Sequence, residues 1–400
     1  MRVSGAVFLA VVSLLVSDVS GWAEPPQVVK IGVLSDMSGP FSDQVGAGSL
    51  AAANLAVEDF AKESKGLNVQ IVSADHQNKP DLGVSIARRW VEEENVSAIV
   101  DLPNSGVALA VAGYLKVRHR AALASSSMTS DLTGSACSPV IVQWVSDTWT
   151  QGASMAHALT KKGLDTWYFV AVDYALGKAL ERDATAALQS SGGRVVGVYR
   201  HPLNSADFAS PLLAAQSSGA KVLALANTGA DMVTALKQAK EFGLTDKMQV
   251  AALFVQLSDV HSLGLPVAQG LQFTEAFYWD LNDRTRAWSK RFSERMGGRM
   301  PTEDHAGVYS TTLAYLRAVR DSGTAEGERV VSQMKSAPFD DPLFGRVSIR
   351  GDGRATHDMY LFQAKVPGES KGDYDLYKLI ATIPAANAFH PVGEGGCALK

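Results

Sequence analysis

Three turns rich in hydroxyl and amide side chains are the part of this sequence best suited to binding a ligand. They contain Ser38, Ser105 and, in the third turn, Ser126 and Met128. Each turn follows an apolar run and precedes a helical pattern, and open parallel sheets bind ligands beyond the carboxyl ends of their strands. Hydroxyl and backbone N–H groups that converge there can donate to a carboxylate. Any one turn is typical of a helix cap; the three together predict a binding site.

A second set of turns, farther along the chain, could face the first. Tyr174, Thr228 and Gln256 each follow another apolar run. Tyr174 combines an apolar ring with a polar tip, which suits the wall of a wet cleft. The two sets of turns therefore predict a ligand cleft between two lobes.

Motifs for catalysis or cofactor binding are weak or missing in the sequence. The run from Gly46 to Ala51 matches a G-x-G-x-x-A dinucleotide pattern, but it lies about a dozen residues beyond the preceding strand, where the mechanism does not place it. It predicts close helix packing instead. There is no G-x-S-x-G elbow, and His305 and His357 have no helical histidine partner for zinc. We predict that the chain is not an enzyme and needs no metal or cofactor.

The elements that position these turns alternate between strand and helix in two blocks. The first strand is predicted at residues 28–34, and the second block begins near Thr150. This alternation indicates an α/β protein with two doubly wound parallel-sheet lobes, joined by ordered crossovers with a ligand cleft between them. We expect a signal peptide at 1–23, lobe I at 24–146 plus 281–345, lobe II at 147–280 plus 346–386, and a tail at 387–400.

Composition narrows the class of protein further. The chain has 400 residues, a net charge of −4 and 46% hydrophobic residues, which argues against a nucleic-acid partner or an anionic membrane surface. Arg2, the apolar run 7–16 and Ala23 have the pattern of a cleaved export signal, so we expect a periplasmic protein; an uncleaved anchor is the alternative. Cys137 and Cys397 are the only cysteines. In an oxidising compartment they predict one disulfide that staples the tail to lobe I.

The ordered set of turns resembles a known family. Ser38-Gly39-Pro40, Asn104-Ser105-Gly106, Ser130-Asp131-Leu132-Thr133 and Asp173-Tyr174-x-x-Gly177 occur at the distances of type I periplasmic binding proteins of the leucine/isoleucine/valine-binding class. The resemblance covers residues 28–383. It implies that Ser105, Ser126 and Met128 hold the ligand carboxylate, and that Leu176 stands where the family has a tyrosine.

The resemblance also implies a function, and the departures from the family pattern bear on the ligand. We expect a monomer that captures a small carboxylate-bearing ligand, an organic or aromatic acid or a branched-chain amino acid, and delivers it to an ABC importer permease. The alternatives are a free-standing ligand sensor and an exported α/β enzyme. Gln256 stands where an acid for an ammonium group is expected, which favours an organic acid unless Asp259 supplies the charge.

Overall fold

The computed structural model describes residues 28–64 and 66–399, and it has two lobes, each built on a parallel β-sheet. The predicted α/β fold class is confirmed. The expected signal peptide lies outside the described residues. No helix in the described residues has the length and apolar character needed to cross a bilayer.

The first lobe begins with regular βα units. Its elements are β1 (Val28–Ser35), α1 (Gly46–Glu63), β2 (Asn68–Asp75), α2 (Pro80–Glu92), β3 (Ala98–Asp101), α3 (Ser105–Val117), β4 (Ala121–Ala124) and β5 (Ile141–Gln143). The strands pair in parallel in the order β2-β1-β3-β4-β5. The order reverses between β1 and β3, which is where sheets of this kind bind ligands.

The second lobe repeats this design. Its elements are α4 (Thr148–Thr160), β6 (Thr166–Val172), α5 (Ala175–Ser190), β7 (Arg194–His201), α6 (Ala209–Ser217), β8 (Val222–Ala226), α7 (Gly229–Glu241), β9 (Gln249–Ala252), α8 (Leu257–Leu263), α9 (Leu265–Ala268) and β10 (Gln272–Glu275). A parallel sheet of order β7-β6-β8-β9 forms its centre. The strand order again reverses, here between β6 and β8.

The last part of the chain contributes to both lobes. It contains α10 (Asp283–Arg295), α11 (Glu303–Ser322), α12 (Gly327–Lys335), β11 (Phe339–Asp341), β12 (Gly345–Ile349), β13 (Ala355–Thr356), β14 (Met359–Ala364), β15 (Tyr377–Ile383) and α13 (Ala385–Ala388). Single 3-10 turns lie at Ser130–Leu132, Leu244–Asp246 and Pro367–Glu369. Helix α11 packs along α1 and is buried over most of its length.

The stretch 346–386, which the sequence assigns to lobe II, divides between the two lobes. Val347 and Ile349 of β12 are buried in the core of the first sheet. Strands β14 and β15 instead form an antiparallel sheet with β10, and Phe362 belongs to a core of the second lobe. The division occurs because alternate apolar residues of the short hairpin β11-β12 face the first core.

Helix α1 shows why the run from Gly46 to Ala51 is rich in small residues. A Cβ atom on Gly48 would lie 2.1 Å from Nε2 of His305, which belongs to α11. His305 in turn contacts the backbone oxygen of Val45 through Nε2 at 2.9 Å. The glycine therefore permits close packing of two helices.

The tail is held to the first lobe by the predicted disulfide, which is confirmed. Cys137 and Cys397 are bonded, and their Cα atoms lie 5.6 Å apart, inside the limit of about 7 Å for an unstrained bridge. Close contact between glycines supports the same docking, since a Cβ on Gly134 would lie 2.5 Å from the backbone oxygen of Gly395.

Candidate functional site

The carboxyl ends of the two parallel sheets face each other across a buried polar junction. Gln44, in the turn after β1, donates from Nε2 to both carboxyl oxygens of Asp259 at 3.0 Å. The same nitrogen lies 3.3 Å from Oγ1 of Thr228, the residue that precedes α7. All three side chains are buried. The junction therefore joins a turn of the first lobe directly to two turns of the second.

Close backbone approach accompanies these side-chain contacts. Gly229, the first residue of α7, has a φ of +60°, and a Cβ there would lie 3.0 Å from the backbone oxygen of Pro40 in the first lobe. Glycine adopts the left-handed conformation without strain, and because it has no Cβ it also avoids the close contact with Pro40. A separate pocket of about 150 Å³ lies beside this junction and is lined by residues of both lobes that include Ser42, His305 and Tyr374; Gln44, Thr228 and Asp259 do not line it.

Asp101, at the end of β3, lies where the sequence predicts a carboxylate-binding subsite. Its Oδ1 accepts a hydrogen bond from Oγ of Ser126 at 2.5 Å, and its side chain is fully buried. Burial raises the pKa of Asp101 to about 6, although the hydroxyls of Ser126, Ser35 and Ser49 favour the ionised form. Ser126 therefore serves an acid of the protein, and a ligand carboxylate placed beside it meets a like charge.

Two further acids begin helix α11. Oδ2 of Asp304 accepts from Nε2 of Gln256 in the second lobe at 3.0 Å, and Oε1 of Glu303 accepts from the backbone N–H of Ser146 at 3.0 Å. Burial raises the pKa of Glu303 to about 7. Burial, and then the charge of Glu303, raise the pKa of Asp304 well above its usual range. These acids point into the junction and contact both lobes.

Asp259 and Glu275 complete this group on the second lobe. Asp259 is buried, and burial raises its pKa to about 7. Glu275 accepts from the Tyr377 hydroxyl at 2.8 Å, and burial followed by the charge of Glu303 raises its pKa strongly. We call Asp101, Asp259, Glu275, Glu303 and Asp304 the acidic cluster. Among the described residues, none of its members forms an ion pair with a lysine, arginine or histidine.

The structure brings some of the predicted site residues into this junction. Ser105 opens helix α3, is 1% exposed, and has an Oγ without a hydrogen-bond partner in the described chain. Ser126, Thr228 and Gln256 are buried and contact the junction acids or Gln44. Tyr174 precedes α5 and is half-buried, and burial together with the nearby Asp231 and Asp36 raises its pKa.

Other predicted site residues lie elsewhere. Ser38 is exposed and donates to Asp75 at 2.6 Å. Met128 and Leu176 are 2% and 3% exposed and pack in the apolar core beside the second sheet. Sδ of Met128 lies 3.8 Å from Oγ of Ser146. An apolar side chain at these two positions fills the core, which explains why no hydroxyl is needed there.

The sequence did not lead us to most of the junction acids. They differ in whether any sequence pattern could have indicated them. Asp101 directly follows the apolar run Ala98–Val100, so the rule that placed Ser105 at a strand end also applies to it. Glu303 and Asp304 follow the N-cap residue Thr302 and have the pattern of ordinary acids in a first helical turn. Glu275 gives no sequence signal.

The junction presents groups that can bind a solute through hydrogen bonds and charge. Its buried side chains carry carboxyl, amide and hydroxyl groups. No group of three histidine, cysteine, aspartate or glutamate side chains in residues 28–64 and 66–399 is arranged to hold a metal ion.

Known proteins of similar sequence and structure share this architecture. The model of a family described as "periplasmic binding protein" matches residues 28–373. A periplasmic binding protein from Burkholderia mallei is 40% identical, with a TM-score of 0.90 and coverage of 93% of this chain and 99% of that one. A branched-chain amino acid ABC transporter periplasmic ligand-binding protein from Burkholderia xenovorans is 39% identical, with a TM-score of 0.80 and the same coverage.

A further relative is similar in sequence to this chain over part of its length. Leu/Ile/Val-binding protein homolog 6 of Brucella melitensis is 28% identical over 263 residues, which are 64% of this chain and 66% of that protein. The matched region therefore spans slightly less than two thirds of the relative.

Proposed function

The chain belongs to the periplasmic binding protein family, and from that premise we propose that it captures a small solute between its lobes and delivers it to an ABC importer permease. The observation that carries the proposal is the buried contact between lobes, in which Gln44 of the first lobe bonds Asp259 and Thr228 of the second. A solute held at this junction touches both lobes. Export to the periplasm is part of the proposal, and the disulfide is consistent with an oxidising compartment.

Closure follows from where the polar groups lie. A ligand stabilises the closed arrangement only by the difference between its affinities for the closed and open states. Ser105 and Asp101 belong to the first lobe and Gln256 and Asp259 to the second, so a solute among them gains contacts when the lobes approach. The permease then distinguishes the closed, loaded form from the open one.

The free hydroxyl of Ser105 is the proposed donor to a ligand carboxylate. It is buried, and neither the Asn104 cap nor any other described side chain uses it. The family resemblance assigns the same position to carboxylate binding. This part of the proposal depends on Ser105 alone, because Ser126 is committed to Asp101.

Binding of a small solute can be tested directly. The exported protein is screened by thermal shift with L-leucine, L-lysine, 4-methyl-2-oxopentanoate, benzoate and putrescine, and by native mass spectrometry for co-purified molecules. A bound solute raises the melting temperature because it stabilises only the folded state. If no compound shifts the melting temperature and no small molecule is retained, the solute-binding proposal is contradicted.

Replacing Ser105 with alanine is expected to weaken binding of a carboxylate-bearing compound by roughly 1–3 kcal/mol, since a donor to a charged group is lost. Isothermal calorimetry with the carboxylate-bearing compound that gives the largest thermal shift measures this change. Ser332→Ala is the matched control, because Ser332 is an exposed serine on α12. Equal affinities of the two variants remove Ser105 from the site.

Replacing Gln44 with alanine is expected to weaken binding of every stabilising compound by about 1–3 kcal/mol, because its bonds to Asp259 form only when the lobes meet. Small-angle scattering should show a larger radius of gyration for the variant at a ligand concentration that closes the wild type. Gln269→Ala, at an exposed position, is the control. An unchanged affinity means that the contact does not contribute to closure.

A further inference from the structure

Four buried oxygen atoms at the lobe junction lack hydrogen-bond donors. They are Oδ2 of Asp101, Oδ1 of Asp304, Oε2 of Glu303 and Oε1 of Gln256, and none accepts a well-formed hydrogen bond within the described chain. The Ser35 and Ser49 hydroxyls near Asp101 and the Ala276 backbone near Glu303 favour the ionised acids without closing such a bond to these atoms. The side chains that carry them are at most 2% exposed. Unsatisfied buried acceptors are costly, and they accept from any donor that enters the junction.

The hydrogen-bond donors at the junction also carry no positive charge. The donors that do reach the acidic cluster are neutral: the Gln44 and Gln256 side-chain amides, the Ser126 and Tyr377 hydroxyls, and the backbone N–H groups of Ser146 and Gln256. Arg354 is the positive group that acts on Glu303 from farther away, and it is already paired with Asp147. Buried acids without positive partners are rare, since removing an ion from water is expensive.

We propose that the site recognises a solute of net positive charge, whose ammonium group lies between Asp101 and Asp304 and donates N–H bonds to their free oxygens and to Gln256. The proposal rests on the solute-binding function above and specifies its ligand class. Because no lysine, arginine or histidine pairs with the acidic cluster, a solute with two cationic groups balances more of the charge that its ionised members carry than a neutral amino acid does. A primary or secondary ammonium fits better than a quaternary one, because the free atoms are acceptors.

Two simpler explanations account for only part of this arrangement. The positive end of α11 favours acids in its first turn, which explains Glu303 and Asp304. The positive end of α8 accounts for Asp259 in the same way, since Asp259 lies in the first turn of that helix and accepts from the backbone N–H of Gln256. It does not explain Asp101, which ends strand β3. Full protonation removes the charge and lets Asp304 donate to the Gln256 amide, but the second carboxyl oxygens of Asp101 and Glu303 still have no partner. An ammonium supplies both the charge and the donors.

The test compares ligand classes on wild type and on Asp304→Asn. We expect L-lysine to raise the melting temperature, and L-leucine, 4-methyl-2-oxopentanoate and benzoate to have much smaller effects. Asp304→Asn should lower the calorimetric affinity for L-lysine by about 10- to 100-fold, the loss expected for a charged hydrogen bond. The asparagine keeps an oxygen for Gln256. Asp340→Asn, at an exposed acid paired with Arg284, should leave the affinity for L-lysine unchanged.

The pH dependence gives a second measurement. Affinity for L-lysine should fall about tenfold between pH 7.5 and pH 5, because the acids must be ionised to attract a cation and their pKa values are raised. The groups that face these acids from neighbouring elements are Asp36, Asp43, Arg354 and Tyr377. In Asp101→Asn, the decrease in affinity for L-lysine between pH 7.5 and pH 5 should be smaller.

The unliganded variants show whether Asp304 has only a structural role. The folded-state pKa of Asp304 is raised above its unfolded value, so ionisation costs stability as pH increases above about 4. Asp304→Asn should therefore gain melting temperature over wild type, and the gain should grow with pH. A variant that melts lower at every pH and keeps wild-type affinity for L-lysine overturns the proposal.

The ligand panel separates failure of this inference from failure of the proposed function. If leucine or the anions stabilise the protein and lysine does not, the inference is wrong while solute binding stands. If putrescine binds as tightly as lysine, the cationic subsite holds and the carboxylate role of Ser105 falls. If nothing binds, the solute-binding function and the cationic subsite are both contradicted.

Discussion

Replacing Cys137 and Cys397 with serine is expected to lower the free energy of unfolding by up to about 5 kcal/mol. The bond joins residues separated by 260 positions, so in the unfolded chain it closes a very long loop and removes much of the chain's conformational entropy. Chemical unfolding of the double variant, compared with the oxidised wild type in the same buffer, measures the difference.

The measured effect should fall below this limit, for a reason visible in the tail. Residues 391–396 are exposed, and apart from the Gly134 contact little holds them. Once the bond is lost, the tail gains freedom in the folded state as well, which offsets part of the effect. The chain truncated after His390, which lacks the tail and therefore the bond, is the control. Its free energy of unfolding should match that of the double variant. Two reactive thiols in the unreduced wild type contradict the bridge.

Much of the fold could be predicted because it follows from local patterns. The strand predicted at 28–34 lies at Val28–Ser35, and strand-helix alternation fixes parallel sheets with few possible topologies. The region after Phe344 was harder, since alternating apolar residues show that one face of a strand is buried but not against which lobe. Val347 and Phe362 have similar local patterns and lie in different cores.

The site was only partly predictable, because sequence shows which residues end a strand but not which side chains converge. Ser105 and Gln256 are buried a few residues beyond the ends of β3 and β9, and their roles toward a ligand are still predictions. Leu176, one residue into α5, packs into the core. The junction acids come from β3, α8, β10 and α11, and only the folded chain brings them together.

Ligand reasoning from the sequence depended on a missing counter-charge at Gln256, and the folded chain supplies one. Gln256 donates to the buried Asp304, and its backbone N–H donates to Asp259 at 2.9 Å. The loop thus folds inward and carries Asp259 into the junction. Negative charge is abundant there, so a missing counter-charge no longer favours an organic acid over an ammonium-bearing ligand, and the ligand class stays a prediction.

Replacing Arg354 with methionine is expected to lower the free energy of unfolding by about 3–5 kcal/mol, the usual cost of removing one partner of a buried ion pair. Its guanidinium is fully buried, lies 3.3 Å from Asp147 and donates to the backbone oxygen of Val145. Both partners belong to the segment that leads from β5 into α4, where the chain passes from one lobe to the other. Urea unfolding measures the change.

Two further variants show whether the loss of stability comes from the charge of Asp147 that is left without a partner. Arg284→Met removes an exposed pair with Asp340 and should cost under about 1 kcal/mol. Adding Asp147→Asn to Arg354→Met removes the orphaned charge, and asparagine still caps the Thr150 N–H, so stability should partly return. A cost for Arg354→Met no larger than that for Arg284→Met contradicts the assignment.

The double variant also connects the crossover to the ligand site. Arg354 is the positive charge that favours ionised Glu303, so its loss should raise the pKa of Glu303 further and make the acidic cluster bind protons more readily. Affinity for L-lysine should then fall at neutral pH and recover as the pH is raised, in a protein whose stability is partly restored. A buried arginine at the crossover would thereby influence the ionisation of one acid at the ligand site.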